Sequence, residues 1–279
     1  MTRGLLKLFS IIPLNDDQQH WLEFLLVMTS REIKARYKHA VLGFLWVILN
    51  PLLQMLIMGF VFRFFVPVEV DNYFLFLFTG LLPWMFFSLS VTKATPSIVH
   101  ERGLIQKAKF PREIIVLSIV LSNLFHFLVS LLLLVVLLIG DKVLFESYSF
   151  GQVLFYSFRM LGIFPLAVWL TMLTSGLSLL TAALNVKFRD VNFVVQAFIP
   201  LWFYATPVVY TLSLLPERFY PLFYLNPITA IIEAFHSVLL FQKPAALELW
   251  PISIIISLVL LYVGVWTFNY EKKWFDDWF

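Results

Sequence analysis

Six stretches of this chain stay apolar for the length of a bilayer crossing, and that limits the fold more than any motif in it. Residues 41–62 run 22 positions without a charged side chain, about 33 Å as a helix at roughly 1.5 Å per residue. Residues 73–92 form a second uncharged run, and 114–140, 161–186, 191–210 and 249–270 give four more. The runs are continuous rather than alternating, so they predict helices, whose backbone polar groups are satisfied internally in lipid. A soluble fold is excluded on quantity. Apolar residues make up 61% and charged residues 13%, against about 45–50% and about 25% in soluble domains. The predicted class is all-α: one polytopic membrane domain over 1–279, with an arm at 1–40, a six-helix bundle at 41–270 and a tail at 271–279.

Between the second and third runs lies a polar island, Val99-His-Glu-Arg-Gly-Leu-Ile-Gln-Lys-Ala-Lys-Phe-Pro-Arg-Glu113. Flanked by membrane on both sides, it must face water. Fifteen of the 20 Lys and Arg residues fall in the arm, the 93–112 loop, the 187–189 turn and the tail. By the positive-inside rule these segments, and both termini, are expected in the cytoplasm. No secretory leader is expected, since residues 1–17 lack an apolar core followed by a small-residue cleavage site.

Two stretches depart from a plain six-helix count. On a helical wheel of 16–40, Arg31, Lys34 and Lys38 fall within about 60° of one another, opposite Thr29, Ile33, Tyr37 and Ala40. Glu32 and Arg36 are placed to pair at i,i+4. This predicts an amphipathic helix on the cytoplasmic leaflet, a solvated arm being the alternative. The other stretch, 211–248, is punctuated by Pro216, Pro221 and Pro227 and contains only 14 apolar-rich residues at 228–241, with Glu233 and His236. That is too short to cross and predicts outer re-entrant or interfacial helices. They read either as an exit gate, with Glu233 and His236 as gate residues, or as a cap on the bundle.

Sites of chemistry are sparse. No Gly-x-x-x-x-Gly-Lys-Ser/Thr loop is present, so the chain is not expected to hydrolyse ATP by that route. Its five histidines lack metal-ligand spacing, it has no cysteine, and the doublets Asp16-Asp17 and Asp276-Asp277 lie in the ends. In the runs and at their edges, His126 and Arg159 are the ionisable residues of note, beside Asn50, Gln54, Asn123 and Gln196. That set is too thin for a proton relay. The chain is expected to move something without supplying chemical energy and to bind no metal or nucleic acid.

Aromatic residues number 31 Phe, 10 Tyr and 9 Trp. Trp250, Trp266, Trp274 and Trp278 fit an interfacial belt. Trp84, Trp169 and Trp202 lie deeper, where indole N–H groups need partners, and suggest a lined passage. Flat C–H faces of sugar rings stack on aromatic rings, so Trp84, Phe87, Trp202, Tyr204 and Tyr210 are candidate channel residues. Packing within a bundle explains the same rings.

The string Arg31-Glu-Ile-Lys-Ala-Arg-Tyr-Lys38, followed by Val41-Leu-Gly-Phe-Leu-Trp46 and Leu49-Asn-Pro-Leu52, resembles the opening of membrane subunits of ATP-binding-cassette polysaccharide exporters. So do Gly80-Leu-Leu-Pro-Trp-Met-Phe-Phe87, Gly103-Leu-Ile-Gln-Lys107, Phe110-Pro-Arg-Glu113, Asn185-Val-Lys-Phe-Arg-Asp190, Leu225-Asn-Pro227 and Ile232-Glu-Ala-Phe235. The resemblance spans nearly the whole chain. It implies a homodimer of six-span subunits bound to two copies of a cytoplasmic ATP-binding subunit, which would hold the ATP and magnesium. The implied cargo is lipid-linked polysaccharide, either O-antigen or teichoic acid. By the same resemblance 101–112, with Glu101, Arg102, Gln106, Lys107, Lys109 and Arg112, becomes a coupling helix, Lys187, Arg189 and Asp190 a second contact, and 216–241 the outer re-entrant helices. The cations Arg31, Lys34, Arg36 and Lys38 read as an entrance for the lipid diphosphate or as a leaflet anchor. A drug or small-lipid permease and a membrane enzyme on polyprenyl phosphate are the rivals; the second would need an acidic or His cluster at a membrane face, and the sequence shows none.

Overall fold

A computed structural model describes residues 16–38, 40–65, 72–144, 148–240 and 249–275, and among these the only regular secondary structure is helix. The expectations for Arg3, Lys7 and the rest of 1–15, for His39, Phe241, Lys243 and for Asp276, Asp277 and Trp278 lie outside the described residues. In chain order the helices are α1 (Asp16–Tyr37), α2 (Trp46–Phe65), α3 (Tyr73–Ala94), α4 (Ser97–His100), α5 (Arg102–Lys107) and α6 (Glu113–Leu144). They continue with α7 (Phe150–Arg159), α8 (Ile163–Lys187), α9 (Asp190–Tyr204), α10 (Tyr220–Leu225), α11 (Pro227–Leu240) and α12 (Leu249–Glu271).

Five helical stretches are long and apolar enough to cross a membrane, and they carry α2, α3, α6, α8 and α12. The fifth apolar run departs from expectation: α9 is a 15-residue helix, about 22 Å at the usual rise. The rest of that run, from Ala205 to Tyr210, turns back instead of continuing the helix. A further element escaped the hydropathy reading. α7 is a ten-residue amphipathic helix, started where the Ser149 N–H donates to Gln152 Oε1 at 2.8 Å, half of a capping box. Its buried Tyr156 donates its hydroxyl to Leu239 O at 2.7 Å and so fastens α7 to α11.

α3 is the hub: 72% of its apolar window is buried within the chain, against 22% for both α2 and α12, which lie at the outside of the bundle. One large core joins α3, α6, α8, α9 and α11 through Phe76, Leu77, Phe78, Leu134, Leu170, Ile231 and Phe235. A second cluster joins the ends of α3 and α8 to the start of α6, the arm helix and the tail through Met28, Ile98, Ile105, Ile115, Val186, Phe268 and Phe275. The segments predicted to be cytoplasmic thus meet at a single end of the bundle.

Two devices set the helix packing. α8 and α12 approach so closely at Gly176 and Gly264 that a Cβ on Gly176 would stand 2.6 Å from the Leu261 backbone, and one on Gly264 would run into the Gly176 carbonyl. Small residues permit such approach where no hydrophobic effect drives helices together in lipid. In α2, Pro51 cannot donate to the carbonyl four residues back, that of Val47. The hydroxyl of Ser130 on α6 donates to that oxygen at 3.2 Å and fills the gap.

Candidate functional site

The polar island folds not as one coupling helix over 101–112 but as the one-turn α4, the six-residue α5, an extended link at Ala108 and the start of α6 at Glu113. Pro111 explains the break, because the residue before a proline is pushed out of the helical region. Ile105 is buried in the lower cluster and pins α5 to the bundle, while Arg102, Gln106, Lys107 and Lys109 stand exposed. Two members of the predicted set turn inward. Glu101 pairs with Arg31 of α1. Arg112 donates to the Lys272 carbonyl at 2.5 Å and lies 5.7 Å over the Phe275 ring, with Lys272 in turn 3.8 Å from Glu113. Arg112 therefore fastens the tail to the head of α6 instead of standing out from the surface.

The second predicted contact is a short exposed corner. Lys187, Phe188, Arg189 and Asp190 all face outward where α8 ends and α9 begins. Lys187 Nζ rides 5.4 Å over the Phe188 ring. Buried Asn185 shapes the corner, its Oδ1 accepting the Asn192 N–H at 3.2 Å in the first turn of α9. Thr95, just after α3, donates to Thr181 Oγ1 of α8 at 2.9 Å, so this corner and the α4–α5 turn are carried by joined helix ends.

The four arm cations do not act as one set. Lys34 and Lys38 are exposed beside Val27, Ile33 and Phe44. Arg31 bonds Glu101 and, at 3.3 Å, Glu32. Partial desolvation works against its charge, yet the hydrogen bond and attraction of Glu101, then of Glu32, raise its pKa above the usual guanidinium value. The predicted Glu32–Arg36 pair does not form. Arg36 instead reaches up into the bundle, donating to Asn123 Oδ1 and, at 2.8 Å, to His126 Nδ1. α1 packs along α6 for this reason, with Met28 and Thr29 buried against the bundle.

The candidate channel rings form a linked ladder, but most of it is packed away. Trp84 and Phe87 are 5% and 0% exposed, so they back the ladder and do not line a surface of this chain. Phe87 meets Trp202 edge-on at 5.2 Å and Trp84 meets Phe203 at 5.5 Å. Tyr204 is 63% exposed, beside the open faces of Phe198 and Leu201. The deep indole nitrogens find partners within the fold: Trp169 donates to Ser257 Oγ and Trp202 to Asn226 Oδ1, each at 3.0 Å. Asn226 was not singled out as a site residue from the sequence, yet it is a hub. Its Oδ1 also accepts the Ile228 N–H at 3.3 Å, while its Nδ2 donates to Ala205 O at 3.1 Å and Thr206 Oγ1 at 3.0 Å. It thus joins the end of α9 to the start of α11. Tyr210 closes the same corner by donating to Tyr204 O at 2.8 Å.

Glu233 and His236, predicted as gate residues, lie inside, 8% and 2% exposed. The His236 ring stacks on Phe76 at 4.2 Å, with Nε2 3.2 Å from the Phe76 carbonyl and Nδ1 4.0 Å from Glu233 Oε1. Gly80 makes room for it, since a Cβ there would be 3.0 Å from His236 Nε2. In this conformation the pair seats α11 against α3.

Apolar crossing helices, basic turns gathered at one end and a short buried helix beside an aromatic corner together define a polytopic membrane protein that offers one exposed, mainly basic face beyond the bilayer. Residues 23–240 match the ABC-2 type transporter family, and the chain belongs to it. The chain is 33% identical to the O-antigen export system permease protein RfbA of Klebsiella pneumoniae, over 91% of this chain and 94% of that protein. The RfbA permease of Myxococcus xanthus is equally similar, 33% identical over 91% and 94%. More distantly, the polysialic acid transport protein KpsM of Escherichia coli is 24% identical over 73% of this chain and 76% of its own length.

Proposed function

We propose that this chain is the membrane subunit of an exporter that carries lipid-linked polysaccharide, O-antigen first among the candidates, across the bacterial cytoplasmic membrane. Two copies would assemble with two copies of an ATP-binding subunit, which holds the ATP and magnesium. Each copy would pass the membrane six times, with α9 and the turn after it as the fifth passage, α10 and α11 as outer re-entrant helices, α1 on the cytoplasmic leaflet and both termini in the cytoplasm. The RfbA relatives support the O-antigen cargo, and the more distant KpsM keeps capsule-type polysaccharide as the second reading. The observation that carries the proposal is the α4–α5 turn. It is rooted by Ile105 in the cluster that also holds Val186, and it leaves Arg102, Gln106, Lys107 and Lys109 exposed, as the nearby corner leaves Lys187, Arg189 and Asp190.

Reversing both charges in Lys107→Glu/Lys109→Glu tests it, because charge complementarity governs docking rate and partner choice at such rims. The variant is expected to insert normally, to lose co-purification of the ATP-binding subunit and to stop export. Wild-type co-purification together with wild-type export would refute the role of this turn.

A further inference from the structure

We infer that the cavity between α1, α2, α3 and α6 is a seat for the phosphate of a lipid head, held by Arg36, Asn123 and His126. The cavity measures about 300 Å³. Its polar side is Arg36, Tyr37, Asn123, His126, Asn50 and Ser130, and its apolar side includes Leu82, Phe86 and Phe127. Trp46, Asn50 and Leu89 are exposed at its rim.

Hydrogen-bond bookkeeping shows what it would take. A guanidinium only donates, so the bond from Arg36 makes His126 Nδ1 an acceptor and leaves the ring proton on Nε2. Asn123 spends its Oδ1 accepting from Arg36 and keeps its amide hydrogens. Three buried nitrogens are then left with no partner: Arg36 Nε, Asn123 Nδ2 and His126 Nε2. All three are donors. Asn123 and His126 are 2% and 8% exposed, and buried donors without partners are costly and uncommon in native structures.

Charge points the same way. Among the described residues no carboxylate lies within ion-pair range of Arg36, whereas Arg31, one turn before it, has two. A half-buried cation ringed by unfilled donors suits a group that is anionic and offers only acceptors. Phosphate meets both conditions, and Arg binds it through its planar fork. The apolar wall and the Trp46 and Leu89 rim place any attached chain against hydrocarbon, which favours a lipid phosphate over a soluble one.

Two lipids carry that chemistry, a polyprenyl diphosphate and an anionic phospholipid. Choosing the first rests on the exporter reading; the seat itself rests on the cavity. The test measures saturable binding to the purified full complex of labelled farnesyl diphosphate, labelled phosphatidylglycerol and labelled inorganic pyrophosphate. Farnesyl diphosphate is expected to bind, with affinity at least tenfold weaker in Arg36→Gln and intermediate in Arg36→Lys. Asn123→Asp keeps the side-chain shape while placing a carboxylate beside Arg36, so it is expected to stay folded by gel filtration and lose binding equally. Arg63→Gln, which removes an exposed charge at the opposite end of α2, is expected to bind as wild type. Arg36-dependent binding of phosphatidylglycerol in place of farnesyl diphosphate would uphold the seat and remove its support for the carrier. Undiminished binding in both Arg36→Gln and Asn123→Asp, no binding of either lipid to wild type, or capture of pyrophosphate alone would overturn the seat. None of these would touch the exporter reading, which rests on other residues and is probed separately at Lys107 and Lys109.

Discussion

Gly176→Ala and Gly140→Ala add the same methyl group and are expected to move stability in opposite directions. At Gly176 the new Cβ would sit 2.6 Å from the Leu261 backbone, about 0.8 Å inside the 3.4 Å at which ordinary contact begins. The obstacle is main chain within a helix, so it cannot rotate aside. α8 and α12 must part, and a radial gap of about 0.5–1 Å already forfeits roughly a quarter to a half of each dispersion contact along the seam. Overpacking of this kind costs about 1–3 kcal/mol. At Gly140, near the C-terminal end of α6, nothing lies within 4 Å of the added carbon, and replacing a helical glycine gains up to about 1 kcal/mol. The assay is the thermal midpoint of the purified protein in detergent. At about 2–4 °C per kcal/mol for a chain of this size class, Gly176→Ala should fall by about 5 °C and Gly140→Ala should hold or rise. Equal midpoints for the two variants would refute the claim that backbone contact sets the α8–α12 distance.

The aromatic corner gives two further tests. Asn226→Ala strands the Trp202 indole N–H and the Ile228 N–H, and should cost about 1–3 kcal/mol, read as a lower midpoint, while Asn226→Asp, which keeps Oδ1 but loses the Nδ2 donations to Ala205 O and Thr206 Oγ1, should recover only part of it. If exposed rings carry the sugar chain, Trp202→Phe should export long polymers and Trp202→Leu should not, once both are shown to assemble with the ATP-binding subunit; equal export would make Trp202 a packing residue.

Hydropathy made α2, α3, α6, α8 and α12 legible to within a few residues, because in lipid the length of an apolar run and the length of a helix are nearly the same quantity. It failed at α9 for the same reason. Run length carries no record of where the chain turns, and the turn at Ala205 is held by Asn226, 21 residues away. α7 was overlooked because ten amphipathic residues look like the preface to a longer run. Of the candidate site, the exposure of the α5 residues was readable from charge, whereas the 187–190 corner was marked as a contact only by the family resemblance. The roles of Arg36 and Arg112 were not. Whether a cation faces water or a partner within the fold depends on groups 87 and 160 positions further along the chain, and no local pattern encodes that. Burial likewise decided Trp84 and Phe87, since a ring on an apolar helix looks the same from sequence whether it faces a passage or a neighbour.

A proline within a membrane helix ordinarily makes a hinge, because the carbonyl it orphans leaves one turn weakly held. In α2 that carbonyl is already gripped by Ser130 from the side, so the turn at Pro51 is braced and should resist flexing. Force applied at Trp46 passes into α6 instead of being absorbed by flexing. The wall that α2 lends to the Arg36 cavity should therefore keep its shape when the lower end of the bundle is driven, and α2 and α6 should travel as one lever during a transport stroke.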